Sequence, residues 1–312
     1  MADLMQFHYP PTPPVVDRLL QPGEITMMLG RQKEGKSTLA LQLAIDIGGG
    51  SHFLEEFPTQ TGKVLYIDFE NKYEQIQKRV LDLGAKHEAN LKNVAVQAYK
   101  RAIDRDVSLY GDGAAHLKEI IEEKEPELLI LDPLRYAAAE KGRSEENWAL
   151  NMIDAVQEIQ SVRPSMAVLL VHHLRKAGED GGPTLRDDPR TWIEKCFGSQ
   201  ALLAHVDSIW GLAAEVEGYT FATVPRSVEQ LTVRLHKLPE SERFFISDDR
   251  LESLSPEQRE YFSKLPQQFT YAQAITLGIP KGSGRLIRRC KSSGLLKVDE
   301  DGQYRKVEER KW

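Results

Sequence analysis

Nothing in the chain narrows its possible folds as far as Gly30–Thr38, which reads G-R-Q-K-E-G-K-S-T, the pattern G-x-x-x-x-G-K-[ST]. The run before it, Gly23–Leu29 (G-E-I-T-M-M-L), has the character of a short buried strand. The run after it, Leu39–Ile47 (L-A-L-Q-L-A-I-D-I), has helical spacing and strong helix formers. Strand, glycine-rich loop and helix form the setting in which this pattern cradles phosphate. Backbone N–H groups along Arg31, Gln32, Lys33 and Glu34 curl around the anion, and a Cβ at Gly30 or Gly35 would crowd that turn. The helix starting near Lys36 aims its positive dipole end at the same place. Lys36 is placed to reach the β- and γ-phosphates of ATP, Ser37 to complete a Mg²⁺ shell, and Thr38 to cap or pack.

Chemistry beyond binding calls for acids at strand ends, because α/β sheets place their ligands at the carboxyl edge. Lys63–Phe69 (K-V-L-Y-I-D-F) reads as a second buried strand running into Glu70 and then a helical stretch. Glu70 is therefore expected to orient and deprotonate an attacking water, the alternative being a helix N-cap; Asp68 is the runner-up. Leu128–Leu131 is an apolar strand that ends in Asp132, expected to hold the Mg²⁺ ion. Pro133, not a glutamate, follows Asp132, which again points to Glu70 as the base. Met166–Val171 is the next buried strand and ends in His172 and His173. Alternation lets only one of them face the nucleotide, and His173 is chosen as the γ-phosphate sensor, a structural histidine being the alternative. Two adjacent histidines without a further ligand do not make a zinc site. Tyr219–Thr223, Leu231–His236 and Arg243–Ile246 read as a terminal β-meander. Its Lys237 or Arg243 is placed either to reach a neighbouring subunit's γ-phosphate or to sit solvated on a hairpin.

The domain reading has four parts. Residues 1–22 carry H-Y-P-P-T-P-P, whose prolines favour an extended arm packed on a neighbour or on its own domain. Residues 23–247 form the core and 248–254 a linker. Residues 255–312 show helix, helix, helix and hairpin, a winged helix-turn-helix order. Its third helix carries Lys281, Arg285, Arg288 and Arg289, suited to a DNA groove or, alternatively, to a protein partner. The long stretch Ala177–Lys195, rich in Gly, Asp and Pro, reads as a functional connection. A net charge of −6 over 312 residues confines nucleic-acid contacts to such local basic patches. Cys196 and Cys290 lack metal spacing and suit a reducing compartment. No apolar run approaches the ~20 residues of a membrane span, and no signal pattern opens the chain, so a cytoplasmic protein without membrane contact is expected.

With these residues in hand, the chain resembles the RepA-type branch of the RecA/DnaB superfamily, the plasmid and phage hexameric helicases, over roughly Leu19–Ser247. The segments that carry the resemblance are G-R-Q-K-E-G-K-S-T, Y-I-D-F-E-N, L-L-I-L-D-P-L-R, V-H-H-L-R-K and F-G-S-Q-A-L. It implies an α/β RecA-like P-loop core with a central, mainly parallel sheet, in a homo-oligomeric ring of six with ATP at each interface. By the same resemblance, the loops after Asp132 and His173 would line a central channel, where Arg175, Lys176, Arg186 and Arg190 grip single-stranded DNA. The expected function is an ATP-driven DNA helicase or translocase in the replication of a plasmid, phage or integrated element. The alternative is an ATP-switched protein that binds a duplex site without unwinding it; a small-molecule kinase is a weaker third.

Overall fold

The computed structural model describes residues 12–84, 91–98, 107–137, 145–174, 183–196, 205–216, 218–226, 229–237, 241–246, 256–276, 286–287, 290–291, 295–299 and 302–306. The chain divides into two compact units, residues up to Ile246 and residues from Ser247 onward.

The first unit alternates strands and helices: β1 (Ile25–Gly30), α1 (Lys36–Gly49), β2 (Val64–Asp68), α2 (Tyr73–Asp82), β3 (Val94–Ala98), α3 (Gly111–Lys124), β4 (Leu128–Asp132), α4 (Leu134–Ala137), α5 (Glu145–Gln160), β5 (Ala167–His173), α6 (Pro189–Cys196) and β6 (Ser208–Ala214). A meander follows in β7 (Tyr219–Pro225), β8 (Leu231–Lys237) and β9 (Phe244–Ile246). All nine strands join one sheet in the order β3-β2-β4-β5-β1-β6-β7-β8-β9. The pairs from β3 to β6 are parallel and those from β6 to β9 antiparallel. Strands β1, β2 and β4 are buried along their whole length, as near-continuous aliphatic runs in a sheet covered on both faces must be.

Period-two alternation sorts the core into two layers. Met27, Leu29, Ile67, Leu131 and Leu170 face one way, with Leu117 of α3 and Ile153 of α5. Met28, Tyr66, Ile130 and Val171 face the other, with Leu39, Leu43 and Ile47 of α1. Consecutive strands β1 and β2 are separated by β5 and β4, so the chain switches direction across the sheet centre. That opens a crevice at the carboxyl ends of β1, β4 and β5.

Three local features differ from the sequence reading. The connection over 177–195 contains α6: Asp188 accepts the N–H of Thr191 at 3.1 Å, Pro189 opens the helix, and Trp192 and Ile193 are buried. Leu134–Ala137, read as loop, is a short helix, because Leu134 and Ala137 find places in the core. The described part of the N-terminal arm packs on its own unit: Val15, Val16, Leu19 and Leu20 are buried, and the Asp17 N–H donates to the Pro58 carbonyl at 2.9 Å. The helical turn expected over Phe197–His205 lies almost entirely outside the described residues.

The second unit has α7 (Pro256–Lys264), β10 (Gln268–Phe269), α8 (Tyr271–Thr276), β11 (Leu296–Val298) and β12 (Tyr304–Lys306). Its strands form a sheet in the order β10-β12-β11. β10 went unread because two residues give no periodicity. The unit has its own core of Tyr261, Phe262, Phe269, Ala274, Leu286, Ile287, Cys290 and Leu296, and the buried Tyr261 hydroxyl donates to the Ala274 carbonyl at 2.6 Å. Lys281, Arg285, Arg288 and Arg289 lie outside the described residues. Among the described residues no helix is long and apolar enough to cross a membrane.

Candidate nucleotide site

Alternation along the strands decides which side chains meet. Met28, Tyr66, Ile130 and Val171 face α1. Gly30, Asp68, Asp132 and His173 each come two residues later, so they reach the same face at the carboxyl edge. The register agrees, with Asp68 beside Asp132 and Gly30 beside His173. His172 takes the opposite parity.

The loop from β1 to α1 is bent tightly enough to dictate its glycines. Gly35 has φ 92°, and a Cβ on it would lie 2.7 Å from Cζ of Phe244; a Cβ on Gly30 would lie 2.5 Å from the Leu212 carbonyl oxygen. Arg31, Gln32 and Lys33 are exposed, while Ser37 and Thr38 are half-buried in the first turn of α1. Lys36 is buried and donates from Nζ to the carbonyls of Gly30 at 2.8 Å and Arg31 at 2.6 Å. Burial pulls its ammonium down to about 8, against the charges of Glu34, Asp132 and Glu70. An anion in the loop would relieve that penalty.

Asp132 is 2% exposed, and burial together with the neighbouring Asp68 charge pushes its carboxyl up to about 6. It is hydrogen-bonded by the Tyr66 hydroxyl and by Ser37. A hydroxyl joined to a desolvated carboxylate is a hard oxygen donor set that suits Mg²⁺. Among the described residues no cluster of three or more His, Cys, Asp or Glu could hold a metal. A cation here therefore takes its other ligands from water and phosphate oxygens.

Asp68 organises the turn that carries Glu70. Its carboxylate accepts the N–H groups of Glu70 at 2.8 Å and Asn71 at 2.7 Å, and the Asn71 side-chain amide at 2.8 Å. Glu70 itself is exposed at the rim, and its carboxyl is raised by partial burial and by Asp68, against the pull of Arg79 and Lys36. Both ring nitrogens of His173 are buried without a hydrogen-bond partner among the described residues. Burial, then the charges of Lys36 and Arg135, pull its imidazole down to about 4, so the ring is neutral at pH 7.

On the meander, Lys237 pairs with Glu242 and lies 5.2 Å from the Phe244 ring centroid. Arg243 pairs with Asp46 of α1 in its own chain. Arg186 is exposed in the turn before α6 and Arg190 is exposed on α6, while Arg175 and Lys176 lie outside the described residues. The sequence reading missed Tyr66, Arg79, Gln42 and Phe244. Only Tyr66 carried a signal, since its spacing from Asp68 puts it on the same strand face.

Fold and site together define a P-loop ATPase core of RecA/DnaB type. Residues 1–179 match the AAA domain family, and the chain belongs to that family. It is also similar to a helicase ATPase domain of known structure, at 15% identity over 72% of this chain and 85% of that one, with a TM-score of 0.53. A KaiC-like protein from the hyperthermophilic archaeon Pyrococcus horikoshii OT3 matches at 12% identity over 72% and 90% of the two chains, with a TM-score of 0.48.

Proposed function

We propose that the protein is an ATP-dependent DNA helicase or translocase of RepA type, acting in the replication of a plasmid, phage or integrated element. It works as a homo-oligomeric ring, hexameric by resemblance. The observation that carries the catalytic half is the gathering of Lys36, Ser37, Asp132, Glu70 and His173 around one phosphate loop. The DNA half rests on the sequence resemblance and on the basic second unit.

ATP lies with its β- and γ-phosphates in the loop, where Lys36 exchanges the carbonyls of Gly30 and Arg31 for phosphate oxygens. Ser37 and Asp132 hold Mg²⁺, which when bound neutralises charge on the transferred group. Glu70 orients a water in line with the γ-phosphorus and takes its proton as the bond to the β-bridging oxygen breaks, leaving ADP and phosphate. Its raised proton affinity suits that role. His173, neutral at working pH, senses the γ-phosphate by hydrogen bonding and not by charge. Lys237 is the basic group offered across the subunit boundary. Arg175, Lys176, Arg186 and Arg190 grip single-stranded DNA, and Lys281, Arg285, Arg288 and Arg289 contact the duplex.

The second unit's independent core keeps one other reading in play, an ATP-switched duplex-binding protein without unwinding. Arg186→Ala/Arg190→Ala separates the two. A helicase loses strand-stimulated ATP hydrolysis in that variant, roughly tenfold or more by the scale of phosphate contacts. A switch keeps it and instead loses duplex binding in Arg288→Ala/Arg289→Ala.

A further inference from the structure

The most elaborate set of long-range polar contacts outside the phosphate loop joins the last strand of the sheet to the helix that opens the loop. Arg243, at the entry to β9, pairs with Asp46 on α1; the arginine side chain is 20% exposed and the carboxylate 1%. One Oδ atom of Asp46 meets both Arg243 and the Ser51 hydroxyl, and the other is buried without a hydrogen-bond partner. One residue on, the Phe244 backbone is clasped from both sides by Gln42 of α1: the amide nitrogen donates to the Phe244 carbonyl at 2.8 Å, and the Phe244 N–H donates to the amide oxygen at 2.7 Å. The Phe244 ring then lies directly against Gly35. On the other side of the turn, the Glu242 N–H and the Ser241 hydroxyl donate to the Asp82 carbonyl at the end of α2, the helix that follows Glu70.

We propose that Arg243 is a positioning residue of its own subunit's nucleotide loop, its pair with Asp46 holding β9 so that the Phe244 ring forms the wall behind Gly35. The assignment rests on the reading of that loop as the ATP site. A guanidinium committed to a nearly inaccessible carboxylate is not free to serve a neighbour, because withdrawing it would leave that carboxylate buried without its charge partner. Each strut has one job. Asp46 and Gln42 fix the strand, the strand fixes the ring, and the ring fills the space that a shifted loop would need.

Removing Arg243 and removing its partner separate the two roles. Arg243→Met strands the Asp46 charge and is expected to raise KM for ATP about tenfold. Arg243→Met/Asp46→Asn removes that charge and returns KM and kcat to within about threefold of wild type. A group acting in trans cannot be replaced in this way, and its loss costs about a thousandfold in kcat whatever stands at 46. A double variant no more active than the single overturns the assignment. Phe244→Leu is expected to raise KM about tenfold. Phe221→Leu, a truncation in the same core layer away from the loop, is expected to lower the urea midpoint without moving KM. If Phe221→Leu shifts KM equally, Phe244 acts only through stability and the assignment falls. Binding of a fluorescent ATP analogue to wild type and Lys36→Ala is measured alongside. Lack of Lys36-dependent binding overturns the ATP reading and this assignment together, whereas intact binding with an unrescued double variant overturns the assignment alone.

Discussion

His173 shows how a single side chain couples the site to pH. Its imidazole titrates near 4 in the folded protein against an ordinary 6.5, because burial and the Lys36 and Arg135 charges disfavour the imidazolium. Between those values the unfolded chain binds the extra proton, so stability from this group is complete above about 6.5 and is lost as pH falls toward 4. His172 adds in the same sense, lowered by burial and by His173. Wild type should therefore lose melting temperature as pH falls below 6.5, and His173→Gln should lose less over the same range. Equal pH slopes in the two proteins would contradict the buried, neutral assignment. At this scale much was legible in advance: the loop residues, Asp132 and the choice of His173 follow from a motif and from strand alternation. What Asp68 does was not legible, because its task is to accept N–H groups of the following turn, a geometry that spacing does not encode.

Among the elements, β9 is the shortest strand of the large sheet, at three residues, yet it is tied to α1 by contacts spanning about two hundred positions. Gln42→Met keeps the volume of the side chain but leaves the N–H and C=O of Phe244 unpaired in a buried place. Losing both partners should cost about 2–5 kcal/mol, read as a fall in the urea unfolding midpoint. A midpoint unchanged within error would mean that the strand is held by its β8 ladder alone. Such contacts escape a sequence reading, since periodicity assigns a residue to a face but not to a partner. α6 escaped for a different reason. Its start signal, Asp188-Pro189, was present, but the glycines and acids before it outweighed eight residues of helix. The strands of the parallel sheet were legible as continuous aliphatic runs because both of their faces are covered.

For the whole molecule, one mainly parallel sheet carries the phosphate loop, the strand-end acids and the histidine to a common edge, while a second unit with its own core follows in sequence. The account's central claim is that this edge hydrolyses ATP for work on DNA, with Glu70 as the base. ATP turnover with and without single-stranded DNA, for wild type and Glu70→Gln, with molar mass read by light scattering, tests it most directly. The account predicts strand-stimulated turnover in a six-subunit species, and a fall of about a hundredfold or more in Glu70→Gln with nucleotide binding kept. DNA-indifferent turnover by a monomer or dimer, or full activity in Glu70→Gln, would contradict it.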